Sequence, residues 1–181
     1  AHRSAWPQAN WPEVSKRFVE GLGLVWNPLT TQIESHDGQV ELFQAVQQAG
    51  RVAHNLCTDI WTYISMGYLR QIPVPGATGS STMPHKVNPI RFENAEANLE
   101  MAAGMLHTLE TTLSTSRLQR DLTDSSMQRN IGVALGHQLV AWTNILRGLG
   151  EVDIDAELMA ADLEENYEVL AGAIQTVIRA E

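Results

Sequence analysis

The run GSSTMPHKVNP over 79–89 sets two adjacent hydroxyls, Ser80 and Ser81, a few residues ahead of an ammonium group, Lys86, and a carboxamide, Asn88. These types suit an elimination in which a proton leaves the carbon next to a carboxylate and negative charge builds on that carboxylate's oxygens. Ser80 or Ser81, once ionised, can receive the proton. Lys86 and Asn88 can hold the charge, because fixed donors aimed at developing charge lower a barrier most effectively. A serine alkoxide is a costly base that needs backbone N–H groups and a cation close by. Gly76 and Gly79 free the backbone to offer the first, and Lys86 is the second. Residue by residue, the same run is also what ordinary surface loops are made of.

A second polar cluster lies at SRLQRDLTDSSMQR over 116–129, where Arg117, Arg120 and Arg129 accompany several hydroxyls at the entrance to a helix. Ser125 and Arg129 are four apart and so share a helix face near its N-terminus, where backbone N–H groups favour a phosphate. Arginine adds a planar two-pronged donor suited to phosphate oxygens. The bland reading of the same residues is an Arg120–Asp121 surface ion pair with Asp124 or Ser125 as a helix cap.

The elements that must position these clusters are helices. Pro73, Pro75, Pro84 and Pro89 keep the first cluster out of either flanking helix. Pro12 and the apolar spacing of Val14, Phe18, Val19 and Leu22 predict a short helix ending at Gly21 or Gly23. A long helix is expected over 36–71, with Val40, Leu42, Phe43, Val46, Val52, Leu56, Ile60, Tyr63, Ile64 and Tyr68 on its apolar positions and Gly50 weakening its middle. A second runs over 88–114, capped by Asn88 with Pro89 in its first turn. A third covers 125–148, with Ile131, Leu135, Leu139, Trp142, Ile145 and Leu149 as its stripe, and a fourth covers 155–179. No alternating strand pattern is visible. Helices of roughly 24 to 36 residues span on the order of 36 to 54 Å, so the expected fold is all-α, a long antiparallel helix bundle. Apolar positions left exposed around Trp61, Tyr63 and Tyr68 favour burial against other subunits.

The 181 residues fit one domain with a sizeable core, and 44% hydrophobic with 18% charged residues is an ordinary globular composition. A net charge of −9 disfavours general attraction to nucleic acid or to an anionic membrane, so an anionic ligand needs a local cluster of cations. The single cysteine, Cys57, cannot form an internal disulfide and fits a reducing compartment; its helical, apolar neighbours predict a buried, inert thiol. No apolar run approaches the roughly 18 to 20 residues that cross a bilayer, and the start AHRSAWPQANW lacks a signal-peptide plan, so a cytoplasmic protein is expected. No phosphate-binding Walker loop, dinucleotide fingerprint or zinc-type cluster is present, which leaves bound NAD, ATP with magnesium and a catalytic metal unsupported; no cofactor is expected. His54, His107 and His137 fall within helices and read as packing or solvent contacts, His85 as loop-shaping, His36 as a helix-start residue and His2 as part of a frayed end.

Taken whole, the 79–89 run resembles the signature loop of the fumarase/aspartase superfamily of lyases. With QRDLTDSS over 119–126 it is most similar to the adenylosuccinate lyase family, and TTQIE over 30–34 and NPIRFEN over 88–94 are further matching pieces. The resemblance extends from about 11 to about 179. It implies a C–N lyase acting by β-elimination, with Ser80 as general base and Lys86 and Asn88 stabilising the carboxylate-delocalised carbanion. It further implies that Gln32 contacts the succinyl part of a succinylated purine nucleotide, with Ser81 beside it, and that Arg120, Ser125 and Arg129 contact the phosphate or its neighbours. Glu93 matches the acidic residue that orients a catalytic histidine; the residues alone read it as a first-turn glutamate favoured by the helix dipole. Family members are homotetramers whose long helices form a central bundle, with each active site built from three chains.

The histidines that supply the general acid in relatives belong to segments with no counterpart in these 181 residues. The chain therefore reads as a central helical-bundle domain, 1–181, cut from a longer polypeptide, and on its own is expected to have little or no lyase activity. Two other readings stay open. A sister lyase of argininosuccinate, fumarate or aspartate shares the loop but leaves Arg120, Ser125 and Arg129 unexplained. A non-catalytic helical oligomer needs neither cluster.

Overall fold

The computed structural model describes residues 2–72 and 88–180. After a single turn α1 (His2–Ala5), α2 (Trp11–Gly21) begins with Pro12 in its first turn, where the missing N–H costs nothing, and ends as the chain turns at Gly23, φ 76°. Three long helices then build the body: α3 (Asp37–Met66), α4 (Ile90–Leu113) and, after the short α5 (Thr123–Gln128), α6 (Ile131–Leu149). A two-stranded antiparallel ribbon pairs β1 (Leu69–Gln71) with β2 (Val152–Ile154), Leu69 opposite Ile154. The chain closes with α7 (Ala156–Glu165), a 3-10 turn (Tyr167–Leu170) and α8 (Ala171–Ala180). The all-α bundle expected from the sequence is what the chain forms, with this ribbon as its one departure among the described residues.

Helix α4 packs against both α3 and α6 and runs antiparallel to each. Its buried positions are Phe92, Ala95, Leu99, Ala102, Leu106, Leu109 and Leu113, an alternation of three- and four-residue steps that keeps one narrow seam facing inward along the whole helix. The seam meets α3 and α6 in two clusters. Ala53, Cys57 and Ile60 of α3 and Ala141 and Ile145 of α6 surround Phe92, Ala95 and Leu99. Phe43 and Ala134 do the same for Leu106, Leu109 and Leu113 at the other end. Each large apolar side chain fully buried here contributes about 1.5–3 kcal/mol, and the interleaved alanines and glycines let the helices approach. Gly50 is such a contact rather than a weak point: a Cβ there would meet the Gln138 amide at 2.6 Å.

Several boundaries and faces differ from the sequence-based expectation. Helix α3 stops at Met66 because Gly67 takes the left-handed conformation, φ 82°, and caps it; residues 69–71 then enter the ribbon, whose strands are too short to show alternation. Helix α4 starts one residue later than expected, with Pro89 rather than Asn88 at the cap position and no side-chain cap bond. The third and fourth helices are both interrupted at asparagines. Asn130 donates to the Ser126 and Met127 carbonyls, and Asn166 to that of Asp162, so each amide competes with the helix ladder where the chain turns. On α6 the inward stripe is Ala134, Gln138, Ala141, Ile145 and Gly148, while the larger Leu135, Leu139, Trp142 and Leu149 face outward. The same inversion on α3 exposes Leu42, Val52, Leu56 and Tyr63. Tyr68 is half-buried instead of exposed, and its hydroxyl donates to Asp162 at 2.7 Å.

Cys57 is fully buried, and that burial, followed by the Glu96 carboxylate, pushes its thiol up to about 11. The folded chain thus keeps a proton that the unfolded chain releases near 9, so this contribution to stability is complete below about pH 9 and is lost as pH rises toward 11. Denaturant unfolding across that range should show the decline, and Cys57→Ala should flatten it. Gly148→Ala tests the seam: alanine ordinarily favours a helix, but here its Cβ would come 2.7 Å from Phe92 Cζ and 3.0 Å from Arg91 Cβ. Urea unfolding is expected to show a loss of about 1–3 kcal/mol; a gain would mean the seam is looser than described.

Candidate active site

At the C-terminal end of α4 two polar loops meet. The chain leaving α4 folds back beside the loop that precedes α3, and the Gln32 N–H donates to the Gln119 carbonyl at 3.2 Å. Between them lies a cavity of about 380 Å³, lined by Thr30, Thr31 and His36 on one side and by Ser114, Asp121 and Asp124 on the other. Gln32 is exposed beside it, Arg120 is half-buried, Ser125 is half-buried on α5, and Arg129 is exposed at the C-terminal end of α5. The fold therefore brings Gln32, Arg120, Ser125 and Arg129 to one end of the bundle.

The charges are arranged differently from the expected Arg120–Asp121 pair. Arg117 bonds Asp121 at 3.3 Å and Arg120 bonds Asp124 at 3.3 Å, each one helical turn apart in sequence. Asp121 also accepts the Thr123 N–H at 2.9 Å, and that bond, with the Thr123 hydroxyl, holds its carboxyl below the usual range. Neither Asp124 nor Ser125 caps α5, which starts after Leu122 without a side-chain cap. Arg129 stands at the end of α5 rather than in the first turn of a long helix, because the chain turns at Asn130. Two buried atoms of this cluster, Arg120 Nε and Asp124 Oδ1, have no hydrogen-bond partner among the described residues. Such atoms are costly in a purely structural ion pair, whereas a ligand-binding cluster commonly carries them.

His36 is the member that sequence reasoning passed over as a helix-start residue. It does start α3, with φ 62°, but its side chain is 8% exposed and stands between carboxylates: Nδ1 contacts Glu34, and Nε2 lies 3.6 Å from Asp124 Oδ2. Gln128 Nε2 approaches the ring at 3.3 Å from 92 residues further along the chain. That separation leaves no local sequence pattern by which the Gln128 and Asp124 contacts could be foreseen. The remaining helical histidines behave as packing or surface contacts: His54 with Glu100, His107 with Glu110, and His137 with Asn98.

Two further candidate residues, Asn88 and Glu93, belong to the opposite end of α4. Asn88 is half-buried just before the helix, and its carbonyl accepts the Ile90 N–H. Glu93 accepts the Trp61 indole N–H at 3.1 Å. Glu151 fastens both neighbouring stretches of chain: its carbonyl accepts the Ile72 N–H at 2.8 Å and its carboxylate takes Arg91 at 3.2 Å. Ser80, Ser81 and Lys86 lie outside the described residues. From Glu93 to Leu113 the helix advances about 30 Å at 1.5 Å per residue. Within one chain, the Asn88/Glu93 end and the Gln32/Arg120 end thus sit about 30 Å apart, too far for one small ligand to touch both. Among the described residues no group of His, Cys, Asp or Glu could hold a metal ion, and no helix is long and apolar enough to cross a membrane.

The chain is thus a bundle of long antiparallel helices with polar clusters at the two ends of α4. The sequence matches the family described as Lyase over residues 3–104, more than half of the chain, and the chain belongs to that family. Residues 116–181 match the family described as Adenylosuccinate lyase C-terminal. Among similar curated proteins, the adenylosuccinate lyase of Vibrio cholerae is 47% identical over 180 residues, 99% of this chain and 40% of its own length. That of Escherichia coli K12 is 45% identical over 179 residues, 99% of this chain and 39% of its own length. The Buchnera aphidicola relative from Acyrthosiphon pisum is 41% identical over 179 residues with the same coverage. The chain thus spans about two fifths of the length of these relatives.

Proposed function

We propose that this chain is the central helical-bundle domain of an adenylosuccinate lyase in purine nucleotide biosynthesis. The enzyme cleaves a C–N bond by β-elimination, turning adenylosuccinate into AMP and fumarate and the succinylated carboxamide ribotide into its carboxamide product. The observation that carries this reading is identity of about 45% to adenylosuccinate lyases along 99% of the chain, supported by the meeting of Gln32 with the Arg120 cluster at one cavity.

In this reading Ser80, as alkoxide, takes the proton from the succinyl carbon next to the carboxylate. The electron pair left behind spreads into that carboxylate, which Lys86 and Asn88 stabilise, with Ser81 alongside. The pair then forms the new C=C bond as the C–N bond breaks, and the departing purine nitrogen takes a proton from a general acid outside these 181 residues. Glu93 orients that acid. Gln32 holds the succinyl group, while Arg120, Ser125 and Arg129 hold the phosphate; this anionic end is what separates the reading from a lyase of argininosuccinate, fumarate or aspartate. No cofactor takes part.

The 30 Å between the two ends of α4 supports sites that take groups from different copies of the chain, as in a homotetramer. Exposed Leu42, Val52 and Leu56 on α3 and Leu139 and Leu146 on α6 provide apolar faces for such contacts. We place the enzyme in the cytoplasm, a reading supported by the free, buried thiol of Cys57.

The test is fumarate release from adenylosuccinate by the complete lyase polypeptide carrying this chain. Turnover is expected, with a loss of at least about a thousandfold for Ser80→Ala at unchanged helix content, and AMP binding is expected to be lost in Arg129→Ala. Wild-type protein that assembles but neither binds nor cleaves adenylosuccinate would reject the reading in favour of a structural helical oligomer.

A further inference from the structure

The ring of His36 joins the two polar loops that form the cavity, and we propose that it is a positioning residue: through Asp124 it sets the orientation of the Arg120 guanidinium on the anionic end of the substrate. This rests on the lyase reading above and deepens it, by tying recognition of the phosphate to a residue on the loop that carries Gln32.

Three features point the same way. First, His36 occupies a left-handed backbone conformation, φ 62°, at the start of α3. Glycine or asparagine fills such a position more easily, so a histidine there is explained by what its ring does. Second, the ring is buried and engaged on both nitrogens: Nδ1 meets the Glu34 carboxylate, which also accepts the His36 N–H at 2.7 Å, and Nε2 lies 3.6 Å from Asp124 Oδ2. Third, the same Asp124 Oδ2 accepts Arg120 Nη2 at 3.3 Å, so one carboxylate oxygen links ring and guanidinium. Arg120 Nε is buried without a partner, and no other acidic side chain is paired with this arginine among the described residues. Asp124 is therefore what sets its direction, and His36, its ring held by Glu34 and Gln128, is what faces Asp124. The Gln32 N–H bond to the carbonyl of Gln119, the residue before Arg120, is a second link between the same two loops.

A ring that only started α3 would predict something else. Replacing it with glycine would relieve the backbone and leave substrate recognition alone. The experiment uses the complete lyase with His36→Asn and His36→Gly, both of which accept a positive φ, assayed on adenylosuccinate and on its dephosphorylated nucleoside. KM for adenylosuccinate is expected to rise about tenfold, with the effect falling on KM rather than on kcat. KM for the nucleoside should stay put, and in an Arg120→Ala background the His36 substitutions should add nothing further. An unchanged KM, an equal rise for both substrates, or a rise that persists without Arg120 would overturn the proposal. So would a glycine variant that loses helix content, which would make His36 a folding latch. Wild-type enzyme inactive on adenylosuccinate would instead reject the lyase reading, and this inference with it.

Discussion

Helix α4 imposes the constraint on which the rest of the structure depends. Its seven buried positions step by three and four residues from Phe92 to Leu113, and that regularity holds α3 and α6 antiparallel against it over its whole length. The seam is narrow and rich in small residues: Ala95 and Ala102 on α4 are matched by Ala53 and Gly50 on α3 and by Ala134, Ala141 and Gly148 on α6. Close approach of this kind fills the interior with few large side chains. It also leaves larger leucines, valines and aromatics of α3 and α6 facing outward.

The same straight helix divides the chemistry. A continuous helix cannot bend its ends together, so the Asn88 and Glu93 region and the Gln32 and Arg120 region are held apart by the element that orders both. Each end is locally well built. Glu151 ties down the chain on the two sides of the segment bearing Ser80 and Lys86. At the far end the loop preceding α3 and the loop following α4 are joined by the Gln32–Gln119 bond and by the His36–Asp124–Arg120 chain of contacts. Among the described residues neither end offers a complete set of groups for the proposed elimination.

Much of this was legible in the sequence, and what was not has physical causes. Long apolar periodicity and the absence of alternation gave the helices, Pro12 gave the start of α2, and the residue types in GSSTMPHKVNP and QRDLTDSS pointed to the family before any geometry. The inward faces of α3 and α6 differ from the expected stripes because both helices bury many small or polar residues, Gln47, Gly50 and Ala53 on α3 and Ala134, Gln138, Ala141 and Gly148 on α6, which a search for large apolar side chains overlooks. The helix breaks at Asn130 and Asn166 depend on side-chain bonds that composition does not reveal, and the three-residue strands are too short to carry a period. The Arg120–Asp124 pair, in place of Arg120–Asp121, depends on how the non-helical stretch before α5 folds, which residue spacing does not reveal. His36 was hidden for a different reason: its partners come from the far side of α4, and no local pattern records them.

Subunit mixing tests most directly whether α4 keeps the two halves of the site apart. Complete lyase carrying Ser80→Ala loses the proposed base, which precedes α4 in sequence, and lyase carrying Arg120→Ala loses a proposed phosphate contact, which follows it. Unfolded together and refolded as mixed oligomers, the two variants are predicted to regain fumarate release that neither has alone, because some sites then combine an intact half from each. Mixed oligomers as inactive as their parents would contradict the account, since that result requires every site to be complete within a single chain.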